Sequence, residues 1–172
     1  MDPKDELPAV WPEFDLPAML GALAEANVEF IVIGGVAMVM HGSDRLTRDL
    51  DIVFAPNASN IEKLGHVLVE LGAKLRGVED DVPFVPDAST LARVELLTLE
   101  TSLGWLDVHR RPAGAPPYRS LRKAAETVEI GGHRILVAAP ADLQAMKRAA
   151  GRRVDLDDLE YLDAIVRLRR NR

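Results

Sequence analysis

The chain has 172 residues, a formal net charge of −6, 48% hydrophobic and 28% charged residues, and no cysteine. This is the composition of one soluble globular domain, and the missing cysteine excludes disulfides, thiolate zinc sites and cysteine nucleophiles. The negative charge argues against a general nucleic-acid coat, and an aromatic content of 5% argues against a stacking platform for single strands.

Residues 1–14 read as an irregular, proline-punctuated lead. It is acidic where a secretory signal would be basic and then apolar. No stretch approaches the roughly 20 apolar residues needed to span a bilayer. The expectation is a cytoplasmic protein without a membrane partner, with one domain over residues 15–172.

Asp15 is placed to cap a helix reaching about residue 27, with Leu16, Met19, Leu20 and Leu23 at helical spacing. Residues 28–33 form a β-branched run and predict a buried strand. Gly34-Gly35 then leads into a short helix over 36–41, followed by a polar loop over 42–47. Residues 50–54 predict a second strand, and Pro56 to Ser59 open a helix reaching about residue 71.

Residues 72–90 read as loop, because glycines, prolines and an acidic run break any period. Residues 93–101 and 105–109 predict a hairpin around Ser102-Leu103-Gly104. A short helix over 118–125, a second hairpin (128–130 with 134–137) and a helix over 140–150 ended by Gly151 follow. The last helix, 155–169, carries Leu156, Leu159, Leu162, Ile165 and Leu168 as an apolar stripe. This order predicts an α+β fold, a mixed sheet flanked by helices, with a helical C-terminal segment over about 139–170.

The chemistry concentrates between residues 30 and 54. Asp49 and Asp51 are two apart on a predicted strand, so both side chains share one face. Aspartate is disfavoured in strands, and two on one face of an otherwise apolar strand form a local conflict of the kind found at functional sites. Mg²⁺ is a common answer, held by one or two carboxylates plus substrate phosphates. Gly34-Gly35, between a strand and a helix, lets a backbone approach phosphate closely, although a tight turn alone explains such a pair. Asp107, within a later strand, offers a third carboxylate as metal ligand or general base, and His109 shares its strand face. The four histidines lack zinc-ligand spacing.

Gly34-Gly35, thirteen residues, Asp49-Leu50-Asp51-Ile52 and a later strand aspartate together resemble the polymerase-β-type nucleotidyltransferase superfamily. Arg45-Leu46-Thr47-Arg48 resembles the Arg-x-Thr-Arg segment before the paired acids of antibiotic nucleotidyltransferases and bacterial relatives. The stretch from Met146 to Leu159, with Lys147, Gly151-Arg152, Asp155 and Asp158, is similar to the AbiEii/MenT-like branch, which includes toxin components of toxin–antitoxin pairs. One departure is Val36, where the family often carries serine after the motif glycine.

The resemblance implies a nucleotidyltransferase core that moves a nucleoside monophosphate from an NTP such as ATP to a hydroxyl. The acceptor would be RNA, a protein or a small molecule, and an antitoxin-type protein would be a partner. Asp49 and Asp51 would hold Mg²⁺ or Mn²⁺ bridging the triphosphate, with Asp107 completing a second site. Gly34 and Gly35 would cradle phosphates, while Arg45, Thr47 and Lys147 would contact the nucleotide. Asp155 and Asp158 suit the N-terminus of the last helix, and an alternative role for Asp158 is to orient Lys147. The competing reading is a catalytically silent module of the same fold that binds nucleotide or a partner protein.

Overall fold

A computed structural model describes residues 13–78 and 84–171; of the expected N-terminal lead, residues 1–12 lie outside the described residues. Asp15 accepts a hydrogen bond from the Ala18 N–H at 3.0 Å and starts α1 (Leu16–Glu25). β1 (Phe30–Ile33) runs straight into α2 (Gly34–Met40), so the helix begins on the glycine pair itself. β2 (Asp49–Phe54) and α3 (Ala58–Glu70) follow, the latter capped by Asn57.

The stretch expected to be loop holds two short elements, β3 (Lys74–Leu75) and α4 (Ala88–Arg93). A two-residue strand and a six-residue helix are too short to impress a period on the sequence. Each is fixed from outside its own pattern: β3 by pairing with β4 (Leu96–Thr101), α4 by the Asp87 carboxylate accepting from the Thr90 N–H at 2.7 Å. Because α4 takes residues through Arg93, β4 starts later than expected. β5 (Gly104–His109), α5 (Tyr118–Ala124), β6 (Glu126–Ile130), β7 (His133–Val137), α6 (Pro140–Ala150) and α7 (Arg153–Arg170) complete the order. Gly151, at φ 63°, ends α6 in the left-handed conformation.

The described strands form one seven-stranded mixed sheet, ordered β3-β4-β5-β2-β1-β7-β6. β2 lies antiparallel to β1 and parallel to β5, while β1 is parallel to β7. Alternation then divides the central strands between two faces. Leu50, Ile52 and Phe54 of β2, Leu106 and Val108 of β5, and Leu97 and Leu99 of β4 are buried together. The opposite face presents Asp49 and Asp51 beside Trp105, Asp107 and His109, with Thr98 of β4 next to Asp107.

The stripe expected along α7 is buried at its middle only. Leu162 is fully buried, whereas Leu156 and Leu168 are 63% and 67% exposed. A spacing of three residues turns the stripe back by about 60° per step around the helix. Its two ends therefore face away from the surface that covers its centre.

Candidate active site

Parallel pairing of β2 with β5 sets Asp49 beside Trp105, Asp51 beside Asp107 and Val53 beside His109. Antiparallel pairing with β1 sets Asp51 opposite Ile33, the last residue before Gly34-Gly35. The carboxylates and the glycine pair, fourteen or more residues apart in the chain, thus meet at one end of two neighbouring strands. Gly34 has φ +66°, and a Cβ built on it would lie 2.5 Å from Oδ2 of Asp51. A side chain there would meet both backbone strain and the carboxylate. Gly35 is tight for another reason: its Cβ would lie 2.9 Å from the Thr47 hydroxyl and 3.6 Å from Cζ of Arg45.

Each carboxylate has its own surroundings. Asp51 keeps 16% of its side chain exposed and accepts from Nε2 of His109 at 2.9 Å through Oδ1, leaving Oδ2 above Gly34. Asp49 is also partly exposed. Asp107 is fully buried and accepts from Nη2 of Arg76 at 2.8 Å. The Arg76 guanidinium stacks on Trp105, 4.7 Å from the ring centroid. Arg76 follows β3 in the stretch expected to be loop, and its backbone N–H donates to the Thr98 carbonyl at 2.9 Å. Sequence reasoning missed it. Nothing local marks this arginine; only the registers of β3, β4 and β5 bring it to Asp107.

A basic cluster borders the glycine pair. Arg45, between α2 and β2, pairs with Asp158 of α7. Asp158 also meets Nζ of Lys147 at 2.7 Å, and Lys147 pairs with Asp155 at 3.1 Å. Lys147 is thus buried between two carboxylates of α7, and it reaches the glycine pair through Asp158 and Arg45. The expected orienting role of Asp158 has a direct geometric counterpart in this contact. Asp155 is fully buried and also accepts from the backbone and side chain of Arg152. Burial opposes its ionisation, but the hydrogen bonds from Arg152 and Lys147 outweigh burial and hold the carboxyl below its ordinary range. Thr47 donates its hydroxyl to the Asp49 carbonyl at 3.2 Å, which ties the basic loop to the start of β2.

The donor chemistry fits a hard divalent ion in one respect and not another. Asp49 and Asp51 supply accessible oxygens from one strand face, the kind of partial site that Mg²⁺ completes with substrate phosphates. Among the described residues, however, no three His, Asp or Glu side chains converge into a group that could hold a metal by themselves. Asp107 in particular meets a guanidinium.

No family model matches this chain, and no curated protein is detectably similar to it in sequence. Solved structures are similar in fold. The lincomycin-bound lincosamide antibiotic adenylyltransferase LnuA superposes with a TM-score of 0.58 at 19% identity, covering 86% of this chain and 94% of that one. ANT(2")-Ia in complex with adenylyl-2"-tobramycin gives 0.53 at 16% identity, covering 86% and 85%. No helix among the described residues is long and apolar enough to cross a membrane. The mixed sheet, its flanking helices and these likenesses agree on one architecture: the chain has the nucleotidyltransferase fold.

Proposed function

We propose that the protein is a divalent-metal-dependent nucleotidyltransferase, transferring a nucleoside monophosphate from an NTP to a hydroxyl acceptor. The observation that carries this is the meeting of Asp49 and Asp51 with Gly34 at one end of β1 and β2, in a fold shared with adenylyltransferases. Asp49 and Asp51 would hold Mg²⁺ or Mn²⁺ against the triphosphate. Such an ion supplies Lewis-acid stabilisation of charge on the phosphoryl oxygens. Gly34 and Gly35 would let the phosphates approach the backbone N–H groups at the start of α2. Arg45 and Thr47 border that space and suit anion contacts. Lys147 acts behind them, holding Asp158 and through it Arg45.

In the reaction the acceptor oxygen forms a bond to the α-phosphorus, the bond to the leaving pyrophosphate breaks, and the acceptor hydroxyl gives up its proton. His109, hydrogen-bonded to Asp51, is of the residue type that suits general-base work. The acceptor is to be sought among RNA, protein and small molecules, and the resemblance of the stretch from Met146 to Leu159 to the AbiEii/MenT-like branch makes tRNA and an antitoxin-type partner the first to test.

The experiment follows α-labelled NTPs, with Mg²⁺ or Mn²⁺, onto total tRNA, onto protein and into small-molecule fractions. Wild type is expected to transfer label, and Asp49→Asn and Asp51→Asn to lose about 10²–10⁴-fold, the several kcal/mol a metal contributes in the transition state. Equal transfer by wild type and both variants would overturn the enzymatic reading. Nucleotide binding without transfer to any fraction would favour the silent module.

A further inference from the structure

We infer that Arg76 is a resident cation for Asp107, so that the site takes one divalent ion, at Asp49 and Asp51, rather than two. The inference rests on the metal-dependent reading above and deepens it.

Arg76 is held from three directions. Its backbone N–H is bonded to Thr98, Nη2 is bonded to Asp107 at 2.8 Å, and its guanidinium lies over Trp105. The side chain is 16% exposed and that of Asp107 is 0% exposed. Nη1 is buried and has no hydrogen-bond partner among the described residues. A buried orphan donor is costly, so this placement is imposed by the charge on Asp107 and the face of Trp105 rather than by complete hydrogen bonding.

A guanidinium does not deprotonate in proteins. A second divalent ion approaching Asp107 would therefore meet a fixed positive charge at short range and low dielectric. To bind, it would have to displace Arg76 from its aromatic contact with Trp105 and from Asp107. Asp51 differs in burial: its side chain is 16% exposed, whereas that of Asp107 is 0% exposed. Trp105 is the register partner of Asp49, so the residue that seats Arg76 also neighbours Asp49 on β2. Charge at the third acid is thus supplied by the chain.

The test counts Mn²⁺ bound per full-length chain by electron paramagnetic resonance, in the presence of the non-hydrolysable α,β-methylene analogue of ATP. Wild type is expected to bind one ion. Arg76→Gln, checked for folding by circular dichroism, is expected to bind two, and Arg76→Gln with Asp107→Asn to return to one. Two ions on wild type would overturn the inference while leaving the metal site standing. None on wild type would overturn both. A folded Arg76→Gln variant that still binds one ion would also overturn it. If that variant does not fold, the wild-type count decides alone.

Discussion

Gly34 and Asp51 constrain one another, which makes Gly34 a sensitive position beside the carboxylates. Gly34→Ala puts a β-carbon at φ +66° and 2.5 Å from the Asp51 carboxylate. The left-handed conformation alone costs about 1–2 kcal/mol, and relief of the clash must move Asp51. Gly35→Ala carries no such backbone strain, and its clash falls on the Thr47 hydroxyl at 2.9 Å, at the end of a side chain. The expected outcome is a lower Tm and loss of nucleotide binding for Gly34→Ala. Gly35→Ala should keep near-native stability with weakened nucleotide affinity. Thermal melts and nucleotide titration of the two variants check this. A Gly34→Ala protein that binds nucleotide normally would remove the glycine from the site.

Legibility at this scale followed chemistry that is out of place locally. Asp49 and Asp51 stood out because aspartates are poor strand residues and theirs share a face. Asp107 stands out in the same way, as an aspartate inside a predicted strand, whereas Arg76 looks ordinary in sequence. Their pairing exists only because β3, β4 and β5 lie side by side, and no pattern within a stretch broken by Gly72 and Gly77 announces it.

Among the elements, α7 shows how a correct helix can be misread in its packing. The repeat from Leu156 to Leu168 marks a helix, yet only Leu162 is fully buried, since a three-residue spacing spirals away from a fixed face. What docks the N-terminal half of α7 on α6 is ionic. Asp155 and Asp158 hold Lys147, and these acids had an equally good local explanation as helix-start residues. Asp155 carries a pH signature. Its folded-state pKa lies below the ordinary value, so its contribution is complete above the unfolded pKa of about 3.9 and is lost as pH falls through the folded value. Asp155→Asn leaves Lys147 with Asp158 alone and is expected to cost about 3 kcal/mol near neutrality, on the order of 10 °C in Tm. The gap between wild type and variant should close as the pH drops below about 4. A gap that persists at acid pH would mean that the loss comes from packing and not from the ion pair.

For the whole molecule, the site belongs to no single segment. The sheet sets Asp49 and Asp51 against Gly34, while α7 reaches back to the loop that carries the basic residues. Asp158 pairs with Arg45, and the Tyr161 hydroxyl donates to the His41 carbonyl at 3.1 Å. Ligand at the glycine pair should therefore stabilise the N-terminal core and the C-terminal helices together. At one hundred times its Kd, Mg²⁺-nucleotide would add about 2.7 kcal/mol, or about 5–10 °C in Tm for a chain of this size. Asp158→Asn keeps Lys147 paired with Asp155 but releases Arg45 from α7. Its melting temperature without ligand should fall modestly, and the rise on adding Mg²⁺-nucleotide at the wild-type concentration should shrink to less than about half, because affinity enters that rise logarithmically. Differential scanning fluorimetry of both proteins, with and without ligand, separates the two effects. If the ligand-induced rise is unchanged in Asp158→Asn, then α7 supports the fold alone, and Arg45 needs no help from it to meet the nucleotide.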